Sequence, residues 1–226
     1  VVCQNHLRQV GTLVTLYAEN NERLIPAVAP NEHAGVFALQ LIRGGYVTAD
    51  EMAKLLVCPG APLADKIRAG TFAIVLPSQV EIRAMTPQQL ERVSAKASPF
   101  YAYALPYRVG GKYCGIRSQR GSMAPMLADA LGDDQTNPMS PNHGGRFVQV
   151  QCADGGLRVL RSSSLPGVDD DLFHNNRGKV AAGLTPTDTV LGGSDAGPGD
   201  DAAAPEKPTE PTGGLGREQS RETVEP

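Results

Sequence analysis

The sequence predicts an α+β fold in which a long N-terminal amphipathic helix packs on a small antiparallel sheet. Three patterns predict it: helical spacing of apolar residues over residues 1–20, two helix-capping sequences between residues 48 and 89, and a hairpin pattern over residues 146–160. A chain of 226 residues that is 41% hydrophobic can bury a sizeable core. Its 25 glycines and 18 prolines indicate that turns and loops occupy much of its length.

The first helix has one apolar face, which we expect to bury against the sheet. Four residues with helical spacing define it: Leu7, Val10, Val14 and Tyr17. Polar residues occupy the other side, and Pro26 cannot continue the helix. Nothing caps the start at Val1, so we expect residues 1–25 to carry the C-terminal half of a longer helix whose first half precedes this sequence.

The central region contains two capping boxes, Thr48 to Glu51 and Thr86 to Gln89, which predict two helix starts. A third helix is expected over residues 33–43, before a pair of glycines. Apolar or alternating runs predict short strands at residues 72–76, 100–107 and 124–130.

The clearest strand pattern is the hairpin. Residues 146–152 and 157–160 flank the turn residues Asp154 and Gly155, a dipeptide that favours tight hairpins. In the first of these strands Val148, Val150 and Cys152 share one face. We therefore expect a globular head over residues 26–190, with the hairpin module at residues 143–160.

The last segment, residues 191–226, differs in composition from the rest. It contains no aromatic residue, is rich in glycine and proline, and carries eight acidic residues against three basic ones. Such a segment buries too little apolar surface to offset its ordering entropy, so we expect a disordered acidic tail.

The overall charge limits the partners. A formal net charge of −3 removes the usual electrostatic argument for nucleic-acid binding, so no nucleic-acid partner is expected. No apolar run in the sequence approaches the roughly 18 residues that a membrane helix needs.

Four cysteines are present and none forms a CxxC pair, so a zinc ribbon is not expected. They are Cys3, Cys58, Cys114 and Cys152. A disulfide among them fits an oxidising compartment, and the sequence leaves three full pairings open. Cys152 fits a buried small apolar residue equally well.

A run of three aspartates, Asp169, Asp170 and Asp171, offers oxygen ligands for Ca²⁺ but matches no EF-hand spacing. Adjacent carboxylates usually face water, so no cofactor or metal is expected, and Ca²⁺ at this run remains the alternative.

His143 lies just before the hairpin, with Asp129 and Asp154 as candidate neighbours in the fold. A serine hydrolase would need a nucleophile held against this histidine, and the sequence contains no Gly-x-Ser-x-Gly elbow. We therefore expect a non-enzymatic protein in which His143 ties a loop to the sheet by hydrogen bonds. A metal role for His143 with either aspartate is a second interpretation.

Several of these segments together resemble a known family. The run from Cys3 to Val10, followed by residues 16–20 and Pro26, resembles the region after the membrane helix of bacterial prepilin-like proteins, which include type II secretion pseudopilins and type IV pilin relatives. Cys58-Pro59 resembles the Cys-Pro that follows in those proteins. Residues 127–129, 142–146 and 153–155 resemble the His…Asp-Gly module associated with prepilin processing, and residues 175–183 and 188–191 resemble its ending. The module usually has nine residues between His and Asp-Gly, whereas ten separate His143 from Asp154.

The resemblance implies a structural subunit with a prepilin-type cleavage and methylation site and an apolar helix ahead of residue 1. That helix would anchor the chain in the bacterial cytoplasmic membrane, with the head on the periplasmic or extracellular side. A prepilin peptidase would process it, and other pilin or pseudopilin subunits would assemble with it for type II-like secretion or surface attachment. Here His143, Asp129, Asp154 and Gly155 would organise the hairpin.

Two alternatives remain. The first is an exported, membrane-tethered module that forms no filament and binds a ligand or Ca²⁺ through the loop at residues 110–120 and the Asp169 run. The second is a hydrolase that uses His143.

Overall fold

The computed structural model describes residues 2–118, 123–131, 139–166 and 170–199. The expected α+β class is confirmed, with an N-terminal helix beside an antiparallel sheet. The α-helices are α1 (Val2–Glu19), α2 (Val36–Arg43), α3 (Ala49–Leu55), α4 (Pro62–Arg68), α5 (Gln79–Ala84) and α6 (Pro87–Ala97). The strands are β1 (Tyr101–Ala104), β2 (Tyr107–Val109), β3 (Lys112–Cys114), β4 (Pro125–Asp129), β5 (Val148–Cys152), β6 (Leu157–Leu160) and β7 (Leu191–Gly192).

The main sheet has five strands in the order β6-β5-β4-β1-β7, and each neighbouring pair is antiparallel. The predicted hairpin is its β5–β6 edge, with Val148 opposite Leu160. β2 and β3 form a separate two-stranded ribbon. Both faces of β5 are buried, so its glutamines are enclosed as well as its valines.

The first helix packs across β4 and β5 as its pattern predicts. Leu7, Val10 and Val14 are fully buried. Tyr17 differs from the prediction: it is half-buried, and its ring packs on Tyr46, with the ring centroids 5.5 Å apart. The fully buried position at that end of the helix is Ala18, while the Tyr17 hydroxyl donates to Gln40 of α2.

The two capping boxes at Thr48 and Thr86 are present and start α3 and α6. A third box, Ser78 with Glu81, starts α5 and was not expected. Helix α2 contributes most of its length to the core, and Phe37 stacks on Tyr103 of β1 with centroids 4.5 Å apart. Helices α5 and α6 both pack on α2.

Two sequence predictions about element positions are wrong. Residues 72–76 form no strand, and Val75 is 84% exposed. The predicted tail begins too early, because Leu191 and Gly192 form β7, pair with β1 and are buried. Leu191 is buried, and the polar composition averaged over residues 191–226 outweighed this single apolar residue in the prediction. Residues 200–226 lie outside the described residues.

No helix in the described part of the chain combines the length and apolarity needed to cross a membrane.

Candidate functional site

Asp129, at the end of β4, is completely buried. Its Oδ2 accepts a hydrogen bond from the backbone N–H of Gln149 at 2.8 Å and lies 3.0 Å from His143 Nε2. Its Oδ1 lies 3.4 Å from Asn142 Nδ2. Burial of a carboxylate without hydrogen-bond partners costs several kcal/mol of folding free energy. These three groups offset that cost at the position between β4 and β5.

The turn that carries His143 is fixed by local hydrogen bonds. The side chain of Ser140 accepts from the backbone N–H of Asn142 at 3.1 Å and donates to the carbonyl of Ala130 at 2.7 Å. A single 3₁₀ turn over Pro141–His143 then ends at Gly144, whose φ of 65° lies in the left-handed region. This turn places the imidazole against the ends of β4 and β5.

The His143 ring stacks on Phe147, with centroids 4.4 Å apart, and its side chain is only 11% exposed. Both of its polar contacts within the described residues use Nε2, which lies 3.0 Å from Asp129 Oδ2 and 3.0 Å from Gln149 Nε2. A carboxylate only accepts, so this contact places a proton on Nε2, and in the tautomer protonated there Nδ1 offers its lone pair as a ligand. The Oε1 atom of Gln149 is buried and has no partner among the described atoms. If the O and N atoms of this amide are exchanged, Oε1 faces the N–H of His143 Nε2 and accepts from it.

A disulfide joins Cys3, in the first turn of α1, to Cys58, just after α3. This settles the pairing that the sequence left open. Cys114 is a half-exposed free thiol and Cys152 is a buried one. Burial raises the pKa of the Cys152 thiol, as expected for a small apolar core residue.

The disulfide and the histidine meet at one place. The sulfurs of Cys3 and Cys58 and a ring nitrogen of His143 lie within 4.8 Å of one another. Gly60 lines the same spot, where a β-carbon would lie 3.5 Å from His143 Nδ1 and 3.8 Å from the Cys3 sulfur. This cluster could hold a metal ion, but in the present state the two sulfurs are bonded to each other. Sequence reasoning named all three residues and did not connect them.

Asp154 does not join this cluster. Its carboxylate accepts hydrogen bonds from Arg158 at 2.6 Å and from the backbone N–H of Gly156 at 2.7 Å, at the tip of the hairpin. The hydrogen bond from Arg158 is the main reason that the pKa of Asp154 is lowered. Gly155 takes the left-handed conformation that the turn requires, with φ of 80°. Asp154 and Gly155 therefore shape the turn, whereas Asp129 and His143 lie at the other end of the strands.

The described aspartates of the run form hydrogen bonds to other groups of the chain. Asp170 accepts from the backbone N–H of Thr189 at 3.0 Å, and burial raises its pKa. Asp171 accepts from the backbone N–H of Phe173 at 3.0 Å and lies 3.0 Å from His174 Nδ1. Asp169 lies outside the described residues. Across the part of the chain with described positions, the cysteine pair with His143 is the one group of three metal-ligating side chains.

The described residues give no further support to the hydrolase or to the ligand-binding alternative. No hydroxyl in the described ranges hydrogen-bonds the His143 ring, as a serine hydrolase requires. The loop proposed for ligand binding begins, in its described part, as the turn of the β2–β3 ribbon at Gly110 and Gly111. It continues through β3 and pairs at Arg117 with Leu24.

Comparisons of the chain with protein-family models, with curated proteins and with solved structures find no match. The prepilin resemblance therefore depends on the quoted residues alone and stays a prediction.

Proposed function

We propose that this chain is the head and packed half-helix of a non-enzymatic, prepilin-like subunit. An apolar helix ahead of residue 1 anchors it in the bacterial cytoplasmic membrane, with the head on the outer side. Subunits assemble head to tail into a pilus or pseudopilus for secretion or surface attachment. An open helical filament requires this kind of heterologous contact.

The observation that carries the proposal is the position of α1. Its buried face, formed by Leu7, Val10 and Val14, lies across the antiparallel sheet, as the resemblance implies for the second half of a pilin helix. A filament subunit needs this arrangement because one helix must both hold the head and project from it.

The opposite face of α1 is the surface that we propose neighbouring subunits contact. Arg8, Thr12 and Glu19 are exposed there together with two apolar side chains, Val2 at 52% and Leu16 at 43% exposure. In a filament with its helices bundled at the centre, this face would contact neighbouring subunits. Single exposed apolar side chains are ordinary on protein surfaces, so the cross-linking experiment below is what tests this contact.

The motif residues support a structural role. The Asp129–His143 pair joins β4, β5 and the preceding turn by buried hydrogen bonds, and it presents no hydroxyl nucleophile in the described residues. The Cys3–Cys58 disulfide ties the start of α1 to the segment after α3.

The first test follows the full gene product in its own cell. The protein should fractionate with the membrane and be digested by protease added to intact spheroplasts, because the head faces outward. A product that fractionates as a soluble cytoplasmic protein, with no leader ahead of Val1, would rule the proposal out.

The second test is cross-linking of whole cells carrying Leu16→Cys in a Cys114→Ser background. A short bis-maleimide should give a ladder of oligomers. Val109→Cys is the matched control, since Val109 is similarly exposed, at 51%, on the separate β2–β3 ribbon. Equal ladders from both variants, or none from Leu16→Cys, would contradict assembly through this face.

A further inference from the structure

We propose that Cys3, Cys58 and His143 form a redox-gated zinc site. With the disulfide intact the site is closed, and after reduction the two thiolates and His143 Nδ1 bind one Zn²⁺. This inference stands apart from the proposed filament role, since it depends on the cluster alone.

The three donors are already within reach of one ion. Zinc binds thiolate sulfur at about 2.3 Å and imidazole nitrogen at about 2.0 Å, so a tetrahedral site separates its sulfurs by about 3.8 Å and each sulfur from the nitrogen by about 3.5 Å. The donor atoms lie within 4.8 Å of one another. Opening the site requires the two sulfurs to move apart by side-chain rotation, and their Cα atoms, 5.0 Å apart, need not separate far.

The histidine is oriented as a zinc ligand. Metal-bound histidines commonly donate their second ring N–H to a carboxylate, which fixes the tautomer and the direction of the ring. His143 has this partner, because its Nε2 lies 3.0 Å from the fully buried Asp129 carboxylate. The lone pair on Nδ1 is left on the side of Gly60 and the Cys3 sulfur.

Gly60 keeps the space between the donors open. A β-carbon at this position would lie 2.9 Å from the carbonyl oxygen of Asn142, closer than real β-carbons approach, and beside both His143 Nδ1 and the Cys3 sulfur. Here the backbone needs the absence of a side chain and not a left-handed φ. The fourth tetrahedral position has no protein ligand among the described residues, so it would hold water.

The redox step balances with a dithiol reductant. The Cys3–Cys58 bond takes up two electrons and two protons and gives two thiols, while the reductant becomes a disulfide. Zn²⁺ then displaces both thiol protons and binds the two thiolates. Zinc is not oxidised or reduced in this step. Reoxidation by a small-molecule disulfide removes two electrons in total from the two thiolates and re-forms the sulfur–sulfur bond, while the oxidant takes up two protons and becomes two thiols. Zn²⁺ is released because the neutral disulfide sulfurs no longer bind it as thiolates do.

The test uses the full chain with Cys114→Ser and Cys152→Ala, so that only the two cluster cysteines remain. Protein reduced with a phosphine should bind one equivalent of Zn²⁺ in competition with a chromophoric chelator. Co²⁺ as a substitute probe should give thiolate-to-cobalt charge-transfer absorption. The oxidised protein should bind neither ion.

Three variants test the assignment of ligands. Asp129→Asn should weaken zinc binding by about 10- to 100-fold, the usual effect of losing the carboxylate partner of a ligating histidine. His143→Ala should weaken it further, because a ligand itself is lost. His174→Ala is the matched control and should leave the affinity unchanged, since His174 lies at Asp171 and not at the cluster.

Circular dichroism distinguishes loss of the zinc site from unfolding of the reduced protein. If the reduced protein loses helix, zinc should restore the spectrum, since metal binding and folding are coupled. The proposal is overturned by a reduced protein that neither binds zinc nor refolds with it. It is also overturned if His143→Ala binds as tightly as its parent, or if the oxidised protein binds equally well.

Discussion

Removal of the Cys3–Cys58 disulfide should be among the most destabilising changes available in this chain. The bond joins residues 55 positions apart. In the chain-entropy description, closing a loop of this length removes about 14 cal/mol/K from the unfolded state, so its loss costs about 4 kcal/mol at 25 °C. That is a large fraction of the roughly 5–15 kcal/mol that stabilises a typical domain. For a protein of this size the melting temperature should fall by about 8–16 °C.

The measurement compares urea unfolding of the parent with that of the double variant Cys3→Ala and Cys58→Ala. Alanine is chosen because both positions are buried and a serine hydroxyl would add a desolvation cost. The urea midpoint should fall. The slope of the free energy with urea should rise, because the unfolded chain expands once the cross-link is gone.

The control is the double variant Cys114→Ser and Cys152→Ala, which keeps the disulfide. A thiol count on the denatured parent should find two free thiols, and on this control none. The reasoning is refuted if the parent shows two free thiols and yet the Cys3→Ala, Cys58→Ala variant unfolds at the same urea concentration.

Three further predictions concern the helix, the buried carboxylate and the hairpin. Asp129→Ala should lower the free energy of unfolding in urea by about 3–5 kcal/mol, because the His143 imidazole and the backbone N–H of Gln149 lose their buried acceptor. A loss below about 1 kcal/mol would show that these two donors find other partners. Gly11→Ala should destabilise the protein by about 1 kcal/mol despite the better helix propensity of alanine, because the new β-carbon would lie 2.5 Å from Cγ of the buried Gln151. The control Thr12→Ala, at an exposed position of the same helix, should be neutral or slightly stabilising. The folded pKa of Asp154 is lowered, so its carboxylate stabilises the protein above its unfolded pKa near 4 and this contribution is lost as pH falls through the folded value. Asp154→Asn should therefore lower stability by under about 1 kcal/mol at pH 7 and have no effect on melting in strong acid, and an equal effect at both pH values would contradict the assignment.

The parts of the fold that local chemistry specifies could be predicted from the sequence. The capping boxes at Thr48 and Thr86, the hairpin turn at Asp154 and the buried face of α1 each depend on residues within one or two turns of chain. Their signals are strong because a missing cap or a wrong turn residue is costly wherever the element lies in the fold.

The errors arise where distant partners decide. Residues 72–76 are apolar enough for a strand, but a strand needs a neighbour, and none is assigned to them in the described structure. Leu191 lies in a glycine-rich context and still becomes a strand because β1 offers it an open edge. Tyr17 fits the apolar spacing, but its ring packs on Tyr46 and stays half-buried.

The sequence predicted the residues of the candidate site but not which of them lie together. Asp129 and Asp154 were both candidate neighbours of His143, and the structure brings Asp129 to it. Spacing alone gave no preference between Asp129 and Asp154, which lie at opposite ends of the hairpin strands. The pairing of Cys3 with Cys58, and the approach of His143 to both sulfurs, depend on how α1, the segment after α3 and the 3₁₀ turn converge.

The position of the disulfide also decides how the chain responds to mechanical tension. A force applied at the N-terminus passes from Cys3 directly to Cys58, so the 54 residues between them are outside the force path. About 190 Å of extension is thereby withheld when the protein is stretched. Tension would first reach the polypeptide beyond residue 58, while α1, α2 and α3 would remain under no direct load.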